Sequence, residues 1–372
     1  MEKFLPEICT IQYGFPFDSA KFSTSEGMPL IRIRDVVRGY SETFTTEEYK
    51  EEYIVSKDDL LIGMDGEFNI AKWGETPALL NQRVCRLFPT SEVDKNYLFY
   101  FMPSALKRIE EKTPFVTVKH LSAKELNKVK VPLPPLDEQR RIATVLDKVS
   151  DLIAKRREQL DKLDELVKAR FVEMFEHVSD QVLLSDVAEV TGGLTKNSKR
   201  KDFPIKLPYL RVANVFFDTI DTNEILEIGL TEEEKRKTLL QNGDLLFVEG
   251  NGNPEQIGRV AVWQDEIVPC VHQNHLIKAR FNLAKMLPTY AMNYFMTQKG
   301  REQIREKAVS TSGLYTLSVS KIESLHIPFA PMDRQLQFTD FKEKVDKSKL
   351  TIRQSLNKLE TLKKALMQQY FG

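Results

Sequence analysis

The sequence predicts an α+β protein in which two mixed α/β domains are joined by two long helices. The helices are expected to form an antiparallel coiled coil, in a pseudo-two-fold, circularly repeated arrangement. Two observations support this prediction: the 372-residue chain repeats itself over a domain-sized distance, and each copy opens onto a long run with helical apolar spacing. Long-period self-similarity indicates architecture directly, because it shows which unit of structure is duplicated.

The repeat is clearest around a proline-rich segment. Val131–Gln139 returns as Ile327–Gln335, 196 residues further along, and Lys119–Ser122 is matched by Tyr315–Ser318 at the same shift. Nearer the start of each copy the shift falls, as loops of unequal length would cause. The matched pairs there are Asp59 with Asp244, Trp73 with Trp263, and Gln82 with Asn274.

Each copy is predicted to contain a domain with an antiparallel or mixed sheet. Short β-type runs bounded by Gly, Pro and Asn lie at Leu30–Val37, Asp59–Met64, Arg83–Phe88, Tyr209–Val215, Asp244–Val248 and His275–Ala279. Two further segments, Tyr97–Lys107 and Thr289–Arg301, are rich in aromatic residues and Met, which is typical of short buried helices.

The two long helices are predicted from heptad spacing. The first seam is broken by two arginines and consists of Ile142, Leu146, Val149, Ile153, Arg156, Leu160, Leu163, Val167, Arg170 and Met174. The second, less regular seam consists of Phe338, Phe341, Val345, Ile352, Leu356, Leu359, Leu362 and Leu366. With about 38 residues at ~1.5 Å each, either helix would be roughly 57 Å long. Because neither can bury its stripe alone, we expect them to pair. The predicted divisions are residues 1–131, 132–177, 178–327 and 328–372.

Composition limits the possible classes of function. The chain carries 54 basic and 54 acidic residues, so it lacks the overall basic excess that is usual in nucleic-acid binders. Any such function would rest on charges segregated into faces. Three widely spaced cysteines fit a reducing cytoplasm. No run of ~18 apolar residues could span a bilayer, and Met1–Pro6 lacks a secretion signal. We therefore expect a cytoplasmic protein without membrane contact.

Basic and amide side chains cluster locally. Lys196–Lys201 is a basic run beside a Gly-Gly turn, and Arg32 and Arg34 would share one face of a strand. Loops at Asp65–Asn69 and Glu249–Pro254 fall at equivalent places, and Asn can bond adenine bidentately. The same residues are equally typical of plain turns and solvated loops. The candidate DNA contacts are Arg32, Arg34, Lys72, Arg83, Lys196, Lys199, Arg200, Lys201, Arg211, Asn214, Asn251, Asn253, Asn274 and His275.

The sequence offers little that would support catalysis. Asn214–Phe217 resembles the Asn-Pro-Pro-aromatic motif of amino-methyltransferases only faintly, because both prolines and a glycine-rich cofactor loop are absent. There is no Walker loop. Cys270, His272 and His275 provide three metal ligands without a fourth, and strand alternation would separate His275 from the other two. We therefore expect a binding protein without catalytic, cofactor-binding or metal residues.

The chain resembles a known family over essentially its whole length. Pro132–Ile142, with the helix that follows, is similar to the central conserved region of specificity subunits of type I restriction–modification enzymes. Leu79–Val84 and Gly63–Gly66 resemble one type of target-recognition domain, and Val271–His275 and Tyr209–Asn214 resemble another. The second copy departs from the pattern at Phe329–Met332, where Phe-Ala-Pro-Met replaces Leu-Pro-Pro-Leu.

The resemblance implies a non-catalytic subunit that binds double-stranded DNA. Residues 1–131 and 178–327 would be target-recognition domains, each reading one half of a bipartite site, and two unlike domains fit an asymmetric site. The spacer helices would fix the length of the unread gap between the two half-sites and would dock two methyltransferase subunits. In this family, two restriction subunits can also join the complex. S-adenosylmethionine, ATP and Mg are then expected on those partners only.

Two alternatives remain open from the sequence. One is a bipolar scaffold, in which the coiled coil joins two protein-binding heads; it predicts no salt-sensitive affinity for DNA. The other is a fused methyltransferase–specificity enzyme, against which the missing cofactor and catalytic motifs argue. A type I system instead predicts neighbouring genes for a methyltransferase and a helicase-type nuclease.

Overall fold

The computed structural model describes residues 1–74, 76–113, 119–311 and 313–372. The chain divides into two compact units. Unit 1 comprises Met1–Arg157 and Arg353–Gly372, and unit 2 comprises Glu158–Ile352. Each unit contains one head (residues 1–131 or 178–327) together with parts of both long helices.

Both heads begin with a strand, a short helix and a strand, and both end with a short helix and a strand. The helices are α1 (Leu5–Ile8), α2 (Ile33–Arg38), α3 (Lys95–Lys112), α4 (Ala123–Asn127), α5 (Leu136–Phe175), α6 (Leu184–Val187), α7 (Glu232–Thr238), α8 (Pro288–Met296), α9 (Gln298–Lys307), α10 (Val319–Glu323) and α11 (Met332–Phe371). The strands of the first head are β1 (Glu2–Phe4), β2 (Cys9–Tyr13), β3 (Phe22–Ser23), β4 (Met28–Ile31), β5 (Phe44–Thr45), β6 (Ile54–Val55), β7 (Leu60–Gly63), β8 (Asn69–Lys72), β9 (Ala78–Leu80), β10 (Val84–Pro89) and β11 (Lys130–Pro132).

The strands of the second head are β12 (Gln181–Leu183), β13 (Ala188–Gly192), β14 (Ile205–Leu210), β15 (Val215–Phe216), β16 (Thr219–Ile220), β17 (Leu226–Leu230), β18 (Leu245–Val248), β19 (Gly250–Asn251), β20 (Val260–Val262), β21 (Val271–His272), β22 (Leu276–Phe281), β23 (Val309–Thr311), β24 (Leu314–Thr316) and β25 (His326–Pro328).

An antiparallel four-stranded sheet lies at the centre of the described part of each head. Its order is β2-β10-β7-β8 in unit 1 and β13-β22-β18-β20 in unit 2. A second, mixed sheet accompanies it, with β4 parallel to β9 in unit 1 and β14 parallel to β21 in unit 2. The aromatic faces of α3 and α8 pack on the central sheets and form the main core of each unit.

Equivalent residues make equivalent contacts, which confirms the repeat read from the sequence. Trp73 donates its backbone amide to the carbonyl of Asp59, and Trp263 donates to Asp244. Both tryptophans are buried. Gly14 sits so close to a neighbouring strand that a Cβ there would lie 2.0 Å from the Asn81 oxygen. At the matching place, a Cβ on Gly193 would lie 2.3 Å from the His272 oxygen.

The two long helices are each 40 residues long and run antiparallel within each unit. In unit 1, Ile142 near the start of α5 shares a core with Phe371 at the end of α11, and Arg157 pairs with Glu360 at 2.7 Å. In unit 2, Asp164 pairs with Lys349, and the Phe171 and Phe338 rings pack edge to face. Residue numbers thus rise along α5 as they fall along α11 in both units, which confirms the predicted antiparallel pairing.

Three local predictions from the sequence were wrong. The strand expected at Leu30–Val37 ends at Ile31 and gives way to helix α2, because the Asp35 carboxylate accepts the Arg32 amide at 2.9 Å. Arg32 and Arg34 therefore do not share a strand face. The strand expected at Tyr209–Val215 ends at Leu210 and is followed by a 3-10 turn. The helix expected at Thr289–Arg301 is two helices, and the Thr297 hydroxyl caps the second.

Candidate nucleic-acid interface

Polar side chains converge at one end of the central sheet in unit 1. Arg83 precedes β10 with a φ of 72°, Asp65 follows β7, and His120 pairs with Asp65 across a β-bridge. The His120 Nδ1 lies 2.5 Å from the Asp65 Oδ1 and 3.2 Å from the Arg83 Nη1. The Arg83 Nε lies 3.7 Å from the Asp65 Oδ2. About half of the Arg83 and His120 side chains is exposed, so the cluster offers hydrogen-bonding groups at the surface.

The same place in unit 2 carries different chemistry. His275 precedes β22, and its Nδ1 lies 2.8 Å from the Glu249 Oε2. Leu317 donates its amide to Glu249, just as Leu121 donates to Met64 in unit 1. Asn251 lies beside this pair on β19, opposite Tyr315. Equivalent backbone positions therefore carry an arginine cluster in the first head and a histidine–asparagine cluster in the second.

The amide residues near this second cluster shape its turns. The Asn251 side chain accepts the Asn253 amide, and the Asn253 side chain accepts the Glu255 amide, each at 2.9 Å. The Asn274 backbone amide bonds the Leu194 carbonyl. Asn251 and Asn274 are half-buried and Asn253 is exposed. The turn role that the sequence left open is thus present in the loop that follows Glu249, the partner of His275.

The remaining first-head candidates are Arg32, Arg34 and Lys72. Arg32 and Arg34 are exposed around the start of α2, and Arg34 also lies 3.6 Å from Asp35. Lys72 packs over the Phe99 ring and lies 3.9 Å from Asp147 of α5. Asp147 also accepts hydrogen bonds from Tyr100 and Asn96. Lys72 therefore takes part in holding the first head on its helix.

The basic run of the second head is split by burial. Lys196, Lys199 and Lys201 are exposed around the 3-10 turn Ser198–Asp202. Arg200 points inward and is 8% exposed. It donates to the Gly229 carbonyl at 3.0 Å and pairs with Glu234 at 2.9 Å, a bond that lowers the pKa of Glu234. The expectation that all four contact phosphate needs correcting at Arg200, because its guanidinium is already held inside the head.

Arg211 and Asn214 lie together and brace a loop. The Asn214 side chain is 3% exposed. It accepts the Arg211 amide and donates to the Asp221 and Glu224 carbonyls at 2.9–3.0 Å. Asn214 is therefore committed to backbone groups in this arrangement, which is a second correction to the expected base contacts. The Arg211 guanidinium also bonds the Glu224 carbonyl and is only partly exposed.

The segment that offered a metal-like pattern is divided by burial. His272 is fully buried, and its Nδ1 lies 3.0 Å from the Thr238 oxygen. Burial, with a smaller effect of Lys278, lowers the pKa of His272 to about 4. Cys270 is buried, whereas His275 is exposed. Within the described ranges, no group of three or more His, Cys, Asp or Glu residues is placed to hold a metal ion. No helix in those ranges is long and apolar enough to cross a membrane.

Sequence reasoning missed two features of these surfaces. His120 was not singled out, although its segment is part of the repeat and the register places it beside the Asp65 loop. Lys342 and Asp218 were also missed, because a lysine among the charged residues of a long helix looks solvent-exposed. Contact between segments far apart in sequence brings each of these residues to its place.

Comparison with known proteins identifies the family. The type I restriction modification DNA specificity domain matches residues 1–164 and 179–361. The chain is 39% identical over 197 residues to the type I restriction enzyme EcoBI specificity subunit of Escherichia coli, an alignment that covers 52% of this chain and 39% of that relative. It is 23% identical over 366 residues to the EcoKI specificity subunit of Escherichia coli strain K12, covering 89% of this chain and 78% of the relative.

Solved structures show the same fold. The S subunit of a type I restriction–modification system from M. genitalium superposes with a TM-score of 0.58 at 12% identity, covering 99% of this chain and 94% of that one. A chain from a structure of type I system assembly and conformational transition gives a TM-score of 0.56 at 16% identity, covering 100% and 97%. On the match of the specificity-domain model to both halves of the sequence, the chain belongs to the family of type I restriction–modification specificity subunits.

Proposed function

We propose that the chain is the non-catalytic DNA-reading subunit of a type I restriction–modification complex, in which each head reads one half of a bipartite, asymmetric DNA site. The helices fix the unread gap and dock two methyltransferase subunits, with restriction subunits as further partners. S-adenosylmethionine, ATP and Mg are bound by those partners. The complex acts on cytoplasmic DNA.

The observation that carries this proposal is the unlike chemistry at one place in the repeated frame. Arg83 and His275 occupy equivalent positions before β10 and β22, beside Asp65 and Glu249 respectively. A bidentate arginine is suited to guanine, and amide side chains are suited to adenine. Two heads with different side chains in the same frame can read two different half-sites.

Net neutrality is compatible with this role. The exposed lysines Lys196, Lys199 and Lys201 supply local positive charge to the second head. Methyltransferases must flip their target base out of the duplex, so the DNA has to be gripped by several surfaces at once. The partner subunits can then share the phosphate contacts while this chain supplies selectivity.

The test is DNA binding by the chain assembled with the methyltransferase encoded beside its gene. We expect the logarithm of affinity to fall linearly with the logarithm of salt concentration, because phosphate neutralisation releases counterions. Arg83→Ala should cost roughly 1–3 kcal/mol and relax one position of one half-site. Arg108→Ala removes the same charge from an exposed site on α3 of the same head and should leave selectivity unchanged. An assembled complex without salt-sensitive affinity would instead support the scaffold alternative.

A further inference from the structure

One lysine of the second long helix is buried against the second head. Lys342 of α11 is 5% exposed. Its ammonium lies 3.0 Å from the Asp218 carboxylate of the head and 2.7 Å from Asp346, one turn along its own helix. A buried ammonium without partners is strongly destabilising, so this position requires an anion from the head or the helix.

The repeat shows that helix packing alone does not need this charge. The residue matched with Lys342 in α5 is Leu146, which is buried in unit 1. Lys349 is likewise matched with Ile153, another buried seam residue. Lys349 contacts Asp164 and Asp346, both on the long helices. Of these two lysines, Lys342 therefore bonds the head, whereas the bonds of Lys349 stay within the helices.

Asp218 sits at the tip of the β15–β16 hairpin and follows two phenylalanines that each contact an arginine. Its backbone has a φ of 53°, and its amide bonds the Val260 carbonyl at 2.9 Å. The preceding residue, Phe217, packs under the Arg301 guanidinium at 5.0 Å from the ring centroid. The hairpin tip is thus held from several sides at once.

Contacts link the hairpin to both surfaces that are predicted to approach DNA. Arg301 donates to the Ile257 and Gly258 carbonyls at 2.5 and 2.9 Å, which close the loop that carries Asn251 and Asn253. On the other side, Asn214 immediately precedes β15, and its side chain grips the Asp221 carbonyl just beyond β16. A shift of the hairpin would therefore move both the Asn251 loop and the Arg211 turn.

We propose that Lys342 is a positioning residue for DNA reading by the second head: its bond with Asp218 fixes the hairpin on the helix, and the hairpin fixes the reading loops. This inference rests on the proposed function. It has a consequence for exchange of heads between relatives, because this head supplies one of the two carboxylates that Lys342 contacts. A head without one leaves a buried ammonium with Asp346 alone.

The test compares Lys342→Leu with Lys349→Leu in the full chain assembled with its methyltransferase partner. Each variant installs an aliphatic residue of the kind that the matched seam position in α5 holds, so both should fold. The DNA probes are three duplexes: one with the methylated motif, one with its first half scrambled and one with its second half scrambled. A separate, DNA-independent measurement is hydrogen exchange of the amides from 215 to 220.

We expect Lys342→Leu to speed exchange in the hairpin and to reduce discrimination of the second half-site by about tenfold, as is typical of coupling between two sites. Discrimination of the first half-site should not change. Lys349→Leu should change neither hairpin exchange nor discrimination of the second half-site. Lys342→Arg should retain most of that discrimination, because it keeps the positive charge. Asp218→Asn should resemble Lys342→Leu.

Unchanged hairpin exchange in Lys342→Leu would overturn the inference, as would faster exchange with intact discrimination. Equal loss of discrimination in Lys342→Leu and Lys349→Leu would show that the two lysines act only through helix stability, which also overturns it. Failure of the unmodified complex to bind the motif duplex would count against the proposed function, whereas hairpin exchange would still report whether Lys342 holds the hairpin.

Discussion

Gln139 and Gln335 make the same set of hydrogen bonds in the two copies of the repeat. Gln139 donates to the Pro134 and Glu92 carbonyls and accepts the Asp94 amide. Gln335 donates to Ala330 and Lys285 and accepts the Leu287 amide. Both side chains are at most 1% exposed. Each glutamine thus ties the first turn of a long helix to the loop that enters the aromatic helix of its head.

Removing either glutamine should destabilise its own unit. Gln139→Leu or Gln335→Leu leaves one buried amide and two carbonyls without this partner, so we expect a loss of about 2–3 kcal/mol in the free energy of unfolding. The two tryptophans allow each unit to be followed separately by fluorescence during denaturation, with Trp263→Phe for unit 1 and Trp73→Phe for unit 2. The exposed Gln354→Leu is the control and should change stability by less than about 0.5 kcal/mol. If Gln354→Leu lowered the free energy of unfolding as much as the substitutions of Gln139 and Gln335 do, the hydrogen bonds of the buried glutamines would not account for the loss.

The sequence predicted the features that follow from periodicity. Repeat matching identified Trp73 and Trp263 as equivalent residues, because similar motifs recur along the chain. The heptad seams predicted two long helices that pair, because apolar residues recur there at regular spacing. The predictions from the sequence failed where a single polar side chain determines the local structure. Asp35 turns the expected strand after Ile31 into a helix, and Glu234 draws Arg200 out of the exposed basic run.

The candidate interface was predictable only in part for the same reason. Residue type indicated Arg83 and His275, and the structure gives each a charged or polar neighbour at the sheet end. Their partners Asp65, His120 and Glu249 come from distant segments, and only the strand register brings them together. Lys342 and Asp218 are 124 positions apart, so spacing along the chain carries no signal of their contact.

The exposed lysines of the second head should control salt dependence, whereas Arg200 should not. Replacing one of Lys196, Lys199 or Lys201 with alanine should weaken binding to all sequences alike and reduce the salt slope by about one unit. Arg200→Ala should chiefly destabilise the head, since it leaves Glu234 and the Gly229 carbonyl without their partner. Titrations of the assembled complex at several salt concentrations separate the two effects. A variant with all three lysines replaced by alanine tests the set together. If its salt slope were unchanged, these lysines would not contact DNA phosphates.

Unit 2 should lose stability between neutral and moderately acidic pH because of His272. Burial holds its folded-state pKa at about 4, below its ordinary 6.5. The unfolded chain therefore binds the proton first, and the stabilising contribution, fully present above pH 6.5, is lost as pH falls toward 4. It amounts to up to about 3 kcal/mol. Lys278 and Asp244 also face this ring, so their charges belong to the same equilibrium.

Denaturation of the Trp73→Phe chain across this pH range measures the effect. His272→Gln should flatten the decline in stability, because the group that takes up the proton on unfolding is gone. The matched control is His177→Gln, since the His177 side chain is 90% exposed. A decline of equal steepness in His272→Gln and the parent chain would show that other groups cause it.

Helix length should set the unread gap of the DNA site. Deleting seven facing residues from each helix shortens both by about 10 Å at ~1.5 Å per residue. Since duplex DNA rises ~3.4 Å per base pair, the gap should shorten by roughly three pairs. Some deletions will abolish binding, because the same change rotates one half-site around the duplex. The methylated motif of an active variant is the measurement. An active variant with the original gap would show that the helices hold partners without measuring distance.

The most direct test of the account is exchange of the second head alone. Residues 178–327 are replaced by the corresponding domain of a relative that has an acidic residue at the place of Asp218, and the methylated motif is determined by single-molecule sequencing in cells that carry the methyltransferase partner. The account predicts that one half of the motif changes to the donor's half-site while the other half stays intact. A change in both halves, or in neither, would contradict independent reading by the two heads.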